Sequence, residues 1–260
     1  MEEAIPKMVG KYEVIKEIGR GSMGVVYLGF DPYINRSIAI KVALSHLLQT
    51  SDDESRFQRF FFNEARIAGM LDHTNILPIY DAGIDNNKYY IVMEYIHEGR
   101  TLVEFCKIDN LLPIKNVLEI IFKCCKALDY AHRRGVIHRD IKPSNIMVTK
   151  NLDVKIGDFG IAQIVKSDMT QVMGLVGSPR YMSPEQAKEE ELTNHTDIFS
   201  LGVIMYELLT GRQPFQAENL SSLIYKIVNE DPVQVRQYRP EIPEIIENVV
   251  NKALNKKIDE

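Results

Sequence analysis

An α+β architecture of two lobes is predicted by a change of texture along the chain. From the glycine cluster "GRGSMGVV" to "KYYIVMEYI" the apolar residues come mostly in short alternating runs, whereas after "HEG" they fall into long segments with helical spacing. The 260 residues exceed a typical single domain, and 45% apolar with 26% charged residues is ordinary for a globular protein with a full core. A strand-rich lobe over residues 11–96 and a helix-rich lobe over 97–260 are the expected division.

Taken in order, "YEVIKEIG" and "GVVYLGF" read as strands on either side of the glycines, and "SIAIKVAL" as a third after the turn-like "DPYINR". "ESRFQRFFFNEARIAGML" has helical spacing, and "ILPIYDAG" and "KYYIVMEYI" return to strand. In the second lobe, "IKNVLEIIFKCCKALDYAHRRG", "HTDIFSLGVIMYELLTG" and "NLSSLIYKIVNED" read as helices. The segment "IPEIIENVVNKALNKK" places Ile245, Ile246, Val249, Val250, Ala253 and Leu254 on one helical stripe.

Charge and composition narrow the function. A net charge of -5 argues against nucleic acid or an anionic membrane as the main partner. Cys106, Cys124 and Cys125 form no CxxC pair, as expected of reduced thiols in an intracellular protein. The start, "MEEAIPKMVG", lacks the basic patch and apolar run of a signal peptide. The longest apolar-rich run, "SLGVIMYELL", is about half the roughly 20 residues of a membrane span. A cytoplasmic location is expected for this stretch, with an anchor past residue 260 left open.

Chemistry is concentrated in "HRDIKPSNIMVTKNLDVKIGDFG". The short β-like runs "NIMV" and "DVKI", separated by the polar "TKNL", read as a hairpin. Its antiparallel strands bring Asn145 and Asp158 out at the same open end, with Asp140 in the loop entering it. An amide oxygen and a carboxylate there make a hard-oxygen site suited to Mg²⁺ shared with phosphates. A second carboxylate nearby can orient a hydroxyl and accept its proton. Asp and Asn are also common turn residues, and either one alone would be read that way.

The first lobe carries matching features. Gly19, Gly21 and Gly24 have G-x-G-x-x-G-x-V spacing and let backbone amides approach phosphate oxygens. A dinucleotide fingerprint would open a helix, but "VVYLGF" continues as a strand, so a glycine-rich hairpin lid over a nucleotide fits better. In "SIAIKV", alternation puts Ile38, Ile40 and Val42 on one face and Ala39 and Lys41 on the other. On the following helix Glu64 shares a stripe with Phe57, Phe60, Phe61, Ile67, Ala68 and Leu71, where a carboxylate needs a partner; Lys41 is the candidate. An exposed glutamate on a stripe drawn too wide is the alternative.

These residues resemble the catalytic domain of eukaryotic-like, bacterial-type Ser/Thr protein kinases. The motifs "GRGSMGVV", "IAIK", "NEA", "VMEYI", "HRDIKPSN", "DFG", "GSPRYMSPE" and "HTDIFSLGVIMYELLTG" occur in the family order from about Lys11 onward. The resemblance implies a bilobal protein-kinase fold, with a small β-rich N-lobe holding one main helix and a larger helical C-lobe; its C-terminal end is expected to be either abbreviated or trimmed from a longer protein. It implies ATP with Mg²⁺, or Mn²⁺ in its place, and proteins bearing Ser or Thr as substrates. Gly19, Gly21 and Gly24 would cover the phosphates, Val26 and Ala39 would contact the adenine, and Met147 would be a further ATP-binding residue. Lys41 would hold the α/β-phosphates and pair with Glu64. Met93 would be the gatekeeper, with Glu94 and Ile96 offering backbone groups to adenine. Asp140 would take the hydroxyl proton, Lys142 meet the transferred phosphate, and Asn145 and Asp158 hold the metal.

Thr170, then Ser167, would be the activation-loop phosphate acceptors, ordered through Arg139. Ser178 would contact Asp140 and Lys142, and Asp197 would brace the catalytic loop. Glu185 would want an arginine that lies past "NKALNKKIDE", so an unpaired buried carboxylate costing several kcal/mol is expected here. A homodimer for autophosphorylation is a further implication. Two other readings compete. A non-catalytic scaffold is disfavoured by the full set Lys41, Glu64, Asp140, Asn145 and Asp158. A small-molecule phosphotransferase is disfavoured by "GSPRYMSPE".

Overall fold

The computed structural model describes residues 5–21, 24–43, 51–159 and 179–257, without the side chains of residues 51–57, 60 and 64. The chain divides into two compact units, residues 1–72 with 77–97 and residues 73–76 with 98–260.

The first unit is built on β1 (Met8–Val9), β2 (Tyr12–Gly21), β3 (Gly24–Asp31), β4 (Arg36–Ala43), β5 (Ile79–Asp85) and β6 (Lys88–Glu94). They form one antiparallel sheet in the order β1-β2-β3-β4-β6-β5. Asn86 and Asn87, with φ of 48° and 58°, make the two-residue turn whose twist suits the β5–β6 hairpin. Residues facing one another across a ladder point the same way. The registers Val26↔Lys41↔Ile91 and Leu28↔Ala39↔Met93 therefore set these six side chains on one face. The opposite face carries Val25, Tyr27, Ile38, Ile40, Val42, Tyr90 and Val92, closed over by Val9 and Tyr12. Each fully buried isoleucine there is worth about 1.5–3 kcal/mol. The Tyr12 hydroxyl donates to Asp81 Oδ2 at 2.6 Å, which fastens the N-terminal strands to β5.

Helix α1 (Ser51–Gly69) buries Phe61, Ala65 and Ala68, spaced i, i+4, i+7, with Phe61 against Tyr89 of β6 at 5.1 Å between ring centres. The side chains of Phe57, Phe60 and Glu64 from the expected stripe lie outside the described residues.

In the second unit, β7 (Arg100–Thr101), β8 (Ile146–Val148) and β9 (Val154–Ile156) form a three-stranded sheet in that order, beside helix α2 (Ile114–His132). Residues 73–76 pair onto β9: Ile156 N–H donates to Asn75 O at 2.9 Å, and Asn75 Nδ2 donates to Val154 O at 3.0 Å. The short α3 (Pro184–Ala187) precedes α4 (Asn194–Thr210), α5 (Leu220–Asn229), α6 (Val235–Tyr238) and α7 (Glu244–Ala253).

Helix α4 is the unit's axis: 14 of its 17 residues are buried, so it is enclosed on every side rather than along one stripe. Gly202 lets α7 approach, because a Cβ there would sit 2.8 Å from that of Ala253. On α7 the expected stripe is narrower than drawn. Ile246, Val250 and Leu254 are buried, whereas Ile245 is 72% and Val249 53% exposed. The i, i+4, i+8 line is fully sequestered and Ala253 is half-buried against Gly202, whereas Ile245 and Val249 lie about 100° around the helix from that line. Among the described residues no helix is long and apolar enough to cross a membrane.

Candidate active site

The sequence-selected residues of the first unit lie on and around the sheet face opposite its core. Val26, Ala39, Lys41 and Met93 are brought together there by register, with Ala39 and Met93 buried. Gly19, Gly21 and Gly24 lie at the tip of the β2–β3 hairpin, where Gly21 faces Gly24. Gly24 has a packing reason, since a Cβ on it would collide with the Val42 carbonyl. Gly21 shows none: among the described residues a Cβ there would meet nothing within 4 Å.

At the end of β6, Glu94 N–H is spent on Pro78 O at 3.1 Å. Ile96 N–H and C=O make no hydrogen bond among the described residues, which leaves a donor and an acceptor available.

The second unit shows the predicted hairpin. Ile146 faces Ile156 and Val148 faces Val154, and Gly157 N–H donates to Asn145 O at 2.8 Å. Asn145 and Asp158 therefore emerge at the same end, as the antiparallel reading requires. Met147 lies on the face of β8 away from the buried Ile146 and Val148.

Asp140 is drawn to that end by polar contacts. Asn145 Nδ2 donates to Asp140 O at 2.9 Å and to its Oδ2 at 3.3 Å, and Lys142 Nζ donates to the same Oδ2 at 2.6 Å. The side chains of Lys142 and Asp140 are only 17% and 11% exposed, so the ion pair is poorly screened. Oδ1 of Asp140 carries no hydrogen bond among the described residues, so the carboxylate keeps one oxygen for a proton.

Two further residues hold this loop. His138 is fully buried; its Nδ1 accepts from Asp140 N–H at 3.2 Å and its Nε2 donates to Gly157 O at 2.8 Å. That pairing fixes the ring tautomer and joins the Asp140 loop to the residue before Asp158. Phe159 packs on the same imidazole at 4.6 Å. Asp197, fully buried, accepts from His138 N–H (2.9 Å) and His132 Nε2 (2.7 Å) at Oδ2, and from Arg139 N–H (2.8 Å) at Oδ1. It is not the helix cap, since Thr193 fills that position and accepts from His195 N–H. Arg139 and Asp158 both have left-handed backbones, φ 68° and 61°, at a cost of about 1–2 kcal/mol each; at Arg139 the Asp197 bond helps offset it.

Helix α4 also organises residues 181–186. Ser200 Oγ donates to Tyr181 O at 2.7 Å, and the Tyr181 hydroxyl donates to Glu207 Oε2 at 2.7 Å. Burial pushes both the phenol and the Glu207 carboxyl up from their ordinary ranges. Gln186 Nε2 donates to Arg139 O at 2.8 Å. Sequence reasoning passed over Thr196, Ser200, Glu207 and Gln186. For the first three the available signal was polar residues inside an otherwise apolar helix, where each needs a partner.

Glu185 has a partner that the expectation of an unpaired carboxylate did not foresee. It is 7% exposed, and Thr196 Oγ1 donates to its Oε1 at 2.6 Å. Thr196→Val keeps the shape and removes that donor. It should cost about 2 kcal/mol, seen as a lower urea midpoint at unchanged slope. Thr170, Ser167, Ser178 and the Glu64 side chain lie outside the described residues.

The protein kinase domain family matches residues 12–259. The chain is 38% identical over 251 residues to the serine/threonine-protein kinase PrkC of Bacillus subtilis, covering 96% of this chain and 38% of that protein. It is 37% identical over 257 residues to the serine/threonine-protein kinase PknB of Mycobacterium leprae, covering 96% of this chain and 40% of that one. The chain thus spans about two-fifths of the length of these relatives. The crystal structure of the Mycobacterium tuberculosis PknI kinase domain superposes with a TM-score of 0.74 at 26% identity, over 98% of this chain and 92% of that one. A loop holding a gripped carboxylate, a hairpin end with two hard-oxygen groups and a match over nearly every residue agree: the chain belongs to the protein kinase domain family.

Proposed function

We propose that this chain transfers the γ-phosphoryl group of ATP to Ser and Thr hydroxyls of proteins, its own activation loop included. The observation that carries the reading is the Asp140 carboxylate, with one oxygen held by Lys142 and Asn145 and the other left for a substrate proton. The substrate oxygen bonds to the γ-phosphorus, the bond to the β,γ-bridging oxygen breaks, ADP departs, and the hydroxyl proton passes to Asp140. Lys142, beside Asp140, would steady the moving phosphoryl group. On the first unit, Val26, Ala39 and Met93 would pack on adenine, Glu94 O and the Ile96 backbone would bond its edge, and Lys41 and the glycine hairpin would take the phosphates. On the second, Met147 would add an apolar contact to the base.

Protein kinase domains use ATP and a divalent metal. Among the described residues no cluster of three or more His, Cys, Asp or Glu could cage a metal. One amide oxygen and one carboxylate suit Mg²⁺, which keeps waters and shares phosphates, better than a metal needing a full protein shell. Asn145 and Asp158 would hold it, with Mn²⁺ as a substitute. Asn145 fits because its Nδ2 is bound to Asp140, while among the described residues its Oδ1 receives only a 3.5 Å contact from Ser144. Bound there, the cation would offset phosphate charge. Residues 11–96 and 97–260 are the proposed lobes, Thr170 and Ser167 the regulatory acceptors, and a second copy of the chain the partner for autophosphorylation.

Incubation with γ-labelled ATP and Mg²⁺ should place label on the protein or on a Ser/Thr peptide, recovered as phosphoserine or phosphothreonine. Asn145→Ala should raise the half-saturating Mg²⁺ concentration roughly tenfold. Label on an added small molecule only, or none, would overturn the reading.

A further inference from the structure

We infer that Gln186 is a positioning residue for phosphoryl transfer, its side-chain amide locking the peptide plane on which Asp140 is mounted. This rests on the kinase reading above and adds to it a contact from helix α3.

The peptide between Arg139 and Asp140 has two polar atoms, and both are held by side chains. Its N–H, that of Asp140, donates to His138 Nδ1 at 3.2 Å. Its carbonyl, that of Arg139, accepts from Gln186 Nε2 at 2.8 Å across 47 residues of sequence. The plane before it is held as well, by Asp197 Oδ1 on Arg139 N–H at 2.8 Å. Arg139 sits at φ 68°, a conformation that a non-glycine residue leaves unless its surroundings enforce it. Turning φ of Arg139 moves the plane before it, which Asp197 holds. Turning ψ moves the 139–140 plane and would swing the Asp140 side chain with it, and on that plane His138 holds the N–H and Gln186 the carbonyl.

The Gln186 amide suits this task because both its ends are used. Oε1 accepts from Ser183 N–H at 3.1 Å, which fixes which end of the amide is the donor, and Nε2 points to Arg139. Ser183 is the N-cap of α3 and completes a reciprocal box by accepting Gln186 N–H on its Oγ at 3.3 Å. A residue that merely capped α3 would need only the Ser183 contacts. The bond to Arg139 is surplus to the helix and reaches the loop that does the chemistry.

Three variants of the full chain separate positioning from capping. Gln186→Glu keeps the length and the acceptor for Ser183 N–H, but sets a carboxylate oxygen against the Arg139 carbonyl. Gln186→Leu removes both bonds. Ser183→Ala breaks the capping box and leaves the amide bridge. Initial rates of ADP release with ATP and a Thr-containing peptide that the wild type labels, together with melting temperatures, should show kcat lowered roughly tenfold or more in both Gln186 variants. The KM for ATP should stay within about twofold of wild type. Ser183→Ala should lose melting temperature yet keep kcat within about twofold. Wild-type kcat in Gln186→Glu, or an equal fall in Ser183→Ala, would overturn the inference. If Gln186→Leu does not fold, Gln186→Glu decides. A wild-type chain that transfers no phosphate overturns the kinase reading itself, and this inference with it.

Discussion

Replacing Asp140 by Asn should lower kcat by roughly 10²–10⁴-fold while the protein stays folded. The geometry separates the two effects. Oδ2 of Asp140 receives Lys142 Nζ at 2.6 Å and Asn145 Nδ2 at 3.3 Å, and the amide oxygen of an asparagine placed there still accepts from both. The loop therefore keeps its local contacts. The amide nitrogen then occupies the position of Oδ1, where it offers protons instead of taking one. A substrate hydroxyl would meet a donor and find no base. Because the change touches only the reacting atoms, the KM for ATP should hardly move and the loss should appear in kcat. Initial-rate kinetics beside a thermal melt would check this. Undiminished kcat in a folded variant would mean the proton goes elsewhere, and Asp140 would lose its assigned role.

The hairpin that presents Asn145 and Asp158 was legible because its signals are local: two alternating runs, a polar turn, and period-two geometry that allows one outcome. The same holds for the β4 alternation that puts Ala39 and Lys41 on the face opposite Ile38, Ile40 and Val42. Legibility fails where a contact depends on how distant segments meet. Nothing near Glu185 in sequence names Thr196 as its donor: Thr196 lies in a segment read as a helix, but the short helix holding Glu185 was not read as an element. Gln186, in that same short helix, carries no local sign of its bond to Arg139. On α7, periodicity located the buried line but overstated its width, because pattern alone cannot say how many neighbours a helix has. Asp197 was assigned to the catalytic loop by likeness to a family. What the sequence left out was the division of labour between its two oxygens.

That division makes the second large prediction specific. Asp197→Asn should lower both stability and kcat, in contrast to Asp140→Asn. The two backbone N–H groups that Asp197 holds are on different oxygens, His138 N–H on Oδ2 and Arg139 N–H on Oδ1. An asparagine has one acceptor oxygen, so whichever way its amide turns, one of these buried N–H groups faces an NH₂. Turned with its oxygen toward His138, it also keeps His132 Nε2, and Arg139 loses the bond that supports its left-handed backbone. Turned the other way, His138 is released, and with it the tether to Gly157 next to Asp158. Breaking a fully buried carboxylate network of this kind costs about 3–5 kcal/mol. Urea denaturation should show that loss, and rates measured well below the transition should still fall, because the loop carrying Asp140 is no longer held. His132→Gln supplies the control: it can still donate to Oδ2 and leaves both backbone bonds intact, so it should cost less stability and retain most of kcat. If Asp197→Asn is destabilised but turns over at the wild-type rate in its folded state, the catalytic loop holds its shape without Asp197, and the bracing role belongs to His138 and Gln186 alone.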